Sequence, residues 1–391
     1  MSPRPICRRP RRPVGFLLVL CLACALLISA PAEAQQTRYL AFGDSITEGF
    51  ADTSDTPGYP PKLENILEAR GVNAEVANFG LGGETTAEGV TRVDEALATG
   101  GDVLLLMEGT NDINQRLSPE TVRFNLDRIA DKAEAQGLEV ILATIIPRLP
   151  SANFDGSNRI TGQLGNEIRS LAFEEGRELA DPFQALISDP DAFSELYAGG
   201  TDRIHLNTDG YQEVAEVWAN VITDLDDVPP VVGAFSPEDD QQAVPNTTPV
   251  DLEVFDFGAG LDTTFTELLI NGEPVPAEIS GNSGRQALRY IPQEPWVGVV
   301  FIGLRARDLA SPVNTFDGNV GQFVTEGTQF VTGDIDRDGR VDGVDLGLFG
   351  VRFGSVQGDG RYRNFADLDG SGVVDGTDLA ILAENFGASA F

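Results

Sequence analysis

From residue 37 to about 226, short apolar runs alternate with stretches in which apolar side chains recur every three or four positions. "YLAF" (39–42), "EVANF" (75–79), "DVLLLM" (102–107) and "EVILATII" (139–146) are mostly apolar on both alternate positions, which predicts strands buried on both faces. Leu63, Ile66 and Leu67, and again Phe124, Leu126, Ile129 and Ala130, fall at helical spacing between them. A final helix over 211–225 is expected to bury Val214, Val217, Trp218 and Val221. This alternation predicts an α/β domain with a parallel sheet, whose ligands gather beyond the carboxyl ends of the strands.

The period then changes. A Pro- and Asp-rich linker, "DDVPPVVGAFSPEDD" (226–240), leads into segments of period two: Val250, Leu252 and Val254 face one way, Asp251 and Glu253 the other. Asn271-Gly272 is a hairpin turn signal, and Val300, Ile302, Leu304 and Ala306 continue the alternation, so 229–331 reads as a β-sandwich. The tail duplicates itself: "DIDRDGRVDGVDLGLFGVRFG" (334–354) aligns with "DLDGSGVVDGTDLAILAENFG" (367–387).

Composition narrows what these parts do. Residues 1–34 read as a signal peptide for secretion: Arg4, Arg8, Arg9, Arg11 and Arg12 precede an apolar run from Val14 to Ile28 and a small-x-small site at Ala32-Glu33-Ala34. All three cysteines, Cys7, Cys21 and Cys24, lie in this segment, so the remainder has no disulfide and no thiol chemistry. Of 27 basic and 61 acidic side chains the segment removes five Arg and one Glu, leaving 22 against 60, a net charge of −38. Nucleic acid and anionic membrane surfaces are disfavoured partners for such a chain, and no stable membrane insertion is expected.

Candidate chemistry sits at the strand ends. In "YLAFGDSITEGF" (39–50), Ser45 follows the first strand; a serine there is ordinarily a helix N-cap, satisfying a backbone N–H. Other residues point further. His205 is the only histidine, and Asp202 stands three residues before it, within reach of the imidazole. Gly80 follows the second strand, where its N–H can approach a substrate, and Asn111 follows the third, offering an amide. The set Gly43-Asp44-Ser45, Asn78-x-Gly80, Gly109-x-Asn111-Asp112 and Asp202-x-x-His205 resembles the four blocks of the SGNH (GDSL) hydrolase family over 37–226. That resemblance implies a flavodoxin-like three-layer α/β/α sandwich, with Ser45 as nucleophile, His205 as base and Asp202 as its orienting acid. It also implies an oxyanion hole from Ser45 N–H, Gly80 N–H and the Asn111 side chain, with no catalytic cofactor.

The duplicated tail has the spacing of calcium loops, in which oxygens come from positions 1, 3, 5, 7, 9 and 12 around a glycine at 6. The first set is Asp334, Asp336, Asp338, Arg340 (backbone carbonyl), Asp342 and Asp345; the second is Asp367, Asp369, Ser371, Val373 (backbone carbonyl), Asp375 and Asp378. With Asp at position 12 and an apolar helix after each loop, 332–391 resembles a dockerin domain, an EF-hand-like helical module, which implies two structural calcium ions and a cohesin-like partner. Positions 10 and 11 hold Gly343-Val344 and Gly376-Thr377, where that family often has Ser-Thr pairs. The sandwich resembles bacterial immunoglobulin-like modules, on its strand pattern and "DFGAGLD" (256–262). Together these imply a secreted serine esterase, with removal of acetyl groups from polysaccharide as the preferred reading. A lipolytic esterase, lysophospholipase or thioesterase is the enzymatic alternative, and a non-catalytic adhesion or scaffold protein the alternative of a different class.

Overall fold

The computed structural model describes residues 36–149, 155–187, 194–199, 202–226, 228–239, 241–326, 331–335, 339–355 and 365–389. The expected signal segment, with its three cysteines, and the loop carboxylates Asp336 and Asp338 lie outside the described residues.

Five parallel strands, β1 (Thr37–Gly43), β2 (Ala74–Gly80), β3 (Val103–Met107), β4 (Glu139–Ala143) and β5 (Glu178–Ala180), form one sheet in the order β2-β1-β3-β4-β5. This is a doubly wound arrangement in which the chain reverses its direction of travel between β1 and β3, at the topological switch point. Alternate residues of β1 feed separate cores: Tyr39 and Ala41 join one apolar cluster, Leu40 and Phe42 the other. The helices of this half are α1 (Ser45–Glu48), α2 (Tyr59–Ala69), α3 (Thr86–Leu97), α4 (Thr110–Asn114), α5 (Pro119–Glu134), α6 (Asp155–Glu175), α7 (Pro182–Ile187) and α8 (Thr208–Ile222). α2 and α8 cover the Tyr39 face, where Tyr59 stacks on the fully buried Trp218; α3, α5 and α6 cover the Leu40 face. Val214 and Trp218 are buried as expected, whereas Val217 and Val221 pack at the edge of the core.

Two details refine the pattern. Phe124 is 63% exposed: the buried stripe of α5 runs through Val122, Leu126, Ile129, Ala130 and Ala133, leaving Phe124 outside beside Arg128. β4 stops at Ala143 rather than 146: Thr144 still donates its N–H to the Ala180 carbonyl and its hydroxyl to Asp181, just past β5, and Ile145 and Ile146 remain buried.

Beyond α8, two sheets stack as a sandwich. One orders β13 (Glu278–Gly281), β14 (Arg285–Tyr290), β10 (Val250–Phe255) and β8 (Val231–Ser236). The other orders β12 (Glu273–Pro274), β11 (Glu267–Ile270), β15 (Val299–Arg307), β16 (Thr315–Thr325) and β9 (Gln241–Val244). Val250, Leu252 and Val254 meet Val300, Ile302, Leu304 and Ala306 across the core. Asn271 and Gly272 have φ of 52° and 83°, the left-handed pair that a tight hairpin between β11 and β12 requires. The tail folds as two short helices, α9 (Gly343–Arg352) and α10 (Gly376–Asn385), around Ile335, Val341, Phe349, Ala366, Val374 and Leu382. No helix among the described residues is long and apolar enough to cross a membrane.

Candidate active site

β1 ends in register with its neighbours: Gly43 pairs with Gly80 on β2 and Met107 on β3. The segments that follow all three strands therefore emerge together at the switch point. Gly43 has no room for a side chain, since a Cβ there would lie 2.0 Å from the Met107 carbonyl oxygen. The N-cap of α1 is Asp44, not Ser45: Asp44 Oδ1 accepts the Ile46 N–H at 2.9 Å. With the cap supplied by its neighbour, the Ser45 hydroxyl is available, and it lies 2.9 Å from His205 Nε2.

His205 and Asp202 sit on β7 (Asp202–Leu206), which pairs antiparallel with β6 (Tyr197–Gly199). Asp202 Oδ2 is 2.8 Å from His205 Nδ1, while its Oδ1 accepts the backbone N–H groups of Ile204 and His205, each at 3.0 Å. Burial pushes the Asp202 carboxyl upward, but these hydrogen bonds outweigh it and hold the group below its ordinary value. An ionised Asp202 can only accept, so Nδ1 carries the imidazole proton and Nε2 is left to accept from Ser45 Oγ. Side-chain exposure of 18% for His205 and 28% for Asp202 keeps the series within reach of a solute.

The donors expected around the developing oxyanion are arranged differently. The Gly80 N–H is already donated to Asn78 Oδ1 at 2.8 Å, so it is not the open donor anticipated from the sequence. A steric reason explains this glycine: a Cβ at Gly80 would lie 2.0 Å from Glu48 N, where β2 abuts α1. Asn111, at the start of α4, donates one amide N–H to the Glu84 carbonyl at 2.8 Å, and its second has no protein partner among the described residues. α1 is a single turn ending at Gly49 (φ 92°), so any help to negative charge at Ser45 comes from local N–H groups rather than a long helix dipole.

A supporting layer escaped the sequence reading. The Phe50 ring packs on the His205 imidazole, centroids 4.5 Å apart, and Tyr211 donates to the Phe50 carbonyl at 2.8 Å. The loop carrying Phe50 is tied down by Lys62, whose Nζ donates to Asp52 Oδ2 at 2.6 Å and to the carbonyls of Thr56 and Gly58. Asp52 also accepts from Thr208, at the start of the helix that follows His205. Burial opposes ionisation of Asp52, yet Lys62 and the other donors hold it far below the usual carboxylate range. Beneath the site, burial first and then the charges of Glu84 and Asp44 push the buried Glu108 well above its normal value. The only sequence signal for this layer was a lysine set in an apolar helix face at Pro61-Lys62-Leu63.

In the tail, Asp367, Asp369 and Asp378 bring carboxylate oxygens within 4.8 Å of one another. The last acid of each loop has a second task. Asp342 and Asp375 cap α9 and α10, and Asp345 and Asp378 close the capping boxes, which seats position 12 rigidly against the loop. Gly339 and Gly372 donate back to Asp334 and Asp367 at 2.9 and 2.7 Å, while Ser371 Oγ lies 3.2 Å from the Val373 carbonyl. Asp334 is buried at the first position and Arg340 bridges to Ser389 near the end of the chain. This all-oxygen donor set fits a hard divalent cation.

A hydroxyl, an imidazole and a carboxylate in hydrogen-bonded series at the switch point of a doubly wound sheet form the layout of the serine hydrolase class. Residues 41–213 match the GDSL-like Lipase/Acylhydrolase family and residues 332–386 match the Dockerin type I domain. The chain thus carries a GDSL-like lipase/acylhydrolase domain and a dockerin type I domain. It is 34% identical over 133 residues to esterase TesA of Pseudomonas aeruginosa, which covers 34% of this chain and 64% of that protein. It is 27% identical over 131 residues to an arylesterase of Vibrio mimicus, covering 33% and 64%. The chain therefore spans just under two thirds of the length of these curated relatives. A solved structure of a lipolytic G-D-S-L family member from Veillonella parvula aligns with a TM-score of 0.41 at 24% identity, covering 48% of this chain and 98% of that one.

Proposed function

We propose that the protein is a serine esterase in which Ser45 is the nucleophile, His205 the general base and Asp202 its orienting acid. The reading is carried by one observation, the continuous relay from Ser45 Oγ to His205 Nε2 at 2.9 Å and from Nδ1 to Asp202 Oδ2 at 2.8 Å. Ser45 Oγ attacks the ester carbonyl while its proton passes to Nε2, and the carbonyl π electrons move to oxygen. The Asn111 amide and the Ser45 N–H stabilise that oxyanion; Gly80 joins them only by releasing Asn78. Collapse expels the alcohol, which takes the proton from the imidazolium. Water, deprotonated by Nε2, then cleaves the acyl-Ser45 bond and releases the acid.

The substrate class we propose is an acetylated polysaccharide, met outside the cell that exports the chain. Two features support this: the signal-like sequence at 1–34 and the coupling of the esterase site to a dockerin domain. The dockerin domain serves attachment to a cohesin-like partner, and exposed Val344, Leu346 and Val351 on α9, with Leu379 on α10, supply apolar contact surface for it. Calcium, held by the two sets of loop oxygens, neutralises their clustered charge and lets α9 and α10 pack. Ser45→Ala is expected to lower p-nitrophenyl acetate hydrolysis by roughly 10⁴- to 10⁶-fold with the fold retained. Unchanged turnover by that variant refutes the mechanism. Acetate release from acetylated xylan, set beside hydrolysis of long-chain esters, tests the substrate class; a preference for long chains selects the lipolytic alternative.

A further inference from the structure

The segment "DFGAGLD" has no part in the chemistry at Ser45, yet it builds a carboxylate cluster. Asp226, just beyond α8, Asp256, at the end of β10, and Asp308, after β15, place carboxylate oxygens within 4.8 Å of one another. Asp226 Oδ2 accepts the Ala259 N–H at 2.6 Å, and its backbone carbonyl accepts from Asn314 Nδ2 at 3.3 Å. Asp308 accepts from Ala310 N–H, Asn314 N–H and Asn314 Nδ2. Asp256 is only 6% exposed; its Oδ1 accepts from Gly258 and Gly260, but its Oδ2 is buried with no hydrogen-bond partner.

No lysine or arginine forms an ion pair with any of the three among the described residues. Three acids therefore share one small volume without a countercharge, and Asp256 Oδ2 has no donor. A bare buried carboxylate oxygen is costly unless something positive meets it. The cluster has an entry route, because Asp226 and Asp256 both line a crevice of about 560 Å³ between α8 and the sandwich.

We propose that Asp226, Asp256 and Asp308 bind a calcium ion, separate from the two dockerin loops, that clamps the segment leaving α8 onto one end of the sandwich. The ligands are all hard oxygens, and a spread of up to 4.8 Å suits an ion that bonds oxygen at about 2.3–2.6 Å better than one demanding about 2.0–2.1 Å. Bound there, the ion fixes the direction in which the esterase domain is held by its neighbour, independently of whether Ser45 is the nucleophile.

The test compares the full chain with Asp256→Asn, which keeps an Oδ1 acceptor for Gly258 and Gly260 but replaces the bare Oδ2. Equilibrium dialysis with Ca²⁺ is expected to show one fewer ion per chain in the variant; the dockerin loops are common to both and cancel. In EDTA the variant should melt at or above the parent, since repulsion is relieved, and in Ca²⁺ the order should reverse. Equal stoichiometry with the same melting order in both media overturns the proposal, and is what a proton shared between Asp256 and Asp308 would produce. Equal binding of Mg²⁺ at the same concentration overturns the assignment to calcium. Should the variant not fold, hydrogen exchange on the parent decides: Ca²⁺ is expected to slow the amides of Gly258, Ala259, Gly260 and Ala310, and unchanged exchange there refutes the clamp.

Discussion

Replacing Lys62 by Met probes the layer that holds Phe50 against His205. The side chains of Lys62 and Asp52 are 8% and 0% exposed, and their charged atoms lie 2.6 Å apart. At that distance an effective dielectric of about 20 gives a gross attraction of roughly 6 kcal/mol, most of it offset by the desolvation of both ions. Removing only the lysine leaves the desolvation of Asp52 uncompensated, and buried pairs broken in this way cost about 3–5 kcal/mol. Asp52 keeps its hydrogen bonds from Ser54 N–H, Gly58 N–H and Thr208, which places the expected loss toward the lower end. For a domain of this size, a loss near 3 kcal/mol corresponds to a melting temperature lower by roughly 6–12 °C.

The pH dependence has a definite sign. In the parent, Asp52 is held far below its unfolded value, so its contribution is present above about pH 4 and is lost as the pH falls toward the folded value. In Lys62→Met no cation opposes burial, and Asp52 takes up a proton more readily. The deficit is therefore greatest near pH 7.5 and shrinks toward pH 4.5. Urea unfolding followed by Trp218 fluorescence in a Trp296→Phe background reports on the correct half of the chain, since Trp218 stacks on Tyr59 of the helix that carries Lys62. A deficit below about 1 kcal/mol at pH 7.5, or one that does not shrink on acidification, refutes the reasoning. Adding Asp52→Asn to Lys62→Met is expected to restore part of the lost stability.

Three further outcomes are expected. Asn111→Ala should lower kcat by roughly 10²- to 10³-fold with little change in KM for p-nitrophenyl acetate, and a change confined to KM removes Asn111 from the oxyanion site. Gly80→Ala should destabilise the domain by about 1–3 kcal/mol in urea unfolding, because its Cβ would overlap Glu48 N at 2.0 Å; an unaltered midpoint shows that α1 shifts freely. EDTA should lower the helical circular dichroism and protease resistance of the tail, as the clustered acids of both loops repel; a tail indifferent to EDTA excludes calcium as its organiser.

The legible parts of this chain were those whose cause is local. β1 and β3 announce themselves because strands buried on both faces must be continuously apolar, and the loop repeats because calcium geometry imposes a spacing. β5 went unnoticed: Glu178-Leu179-Ala180 is a three-residue edge strand with too few positions to carry a period. Phe124 marks the helix by its spacing, but spacing alone does not place it outside the core, because the neighbours set the angle of the buried stripe. At the site, the residue types at the strand ends were readable, but the capping role of Asp44 in place of Ser45 and the Asn78 bond to Gly80 were not. Both depend on side-chain direction, which spacing does not encode. The Lys62–Asp52 pair and the Asp226–Asp256–Asp308 cluster join segments far apart in sequence, so only the folded chain displays them.

The enclosure of Lys62 also bears on how the molecule can be handled. The sequence contains two lysines, and the other, Lys132, lies in the last turn of α5 with its side chain 33% exposed. In a parallel sheet the connecting helix returns from the carboxyl edge to the amino edge, so Lys132 stands at the side of the domain away from Ser45. Among side chains, succinimidyl reagents thus meet one accessible amine, and immobilisation through it turns the Ser45 end of the sheet away from the support.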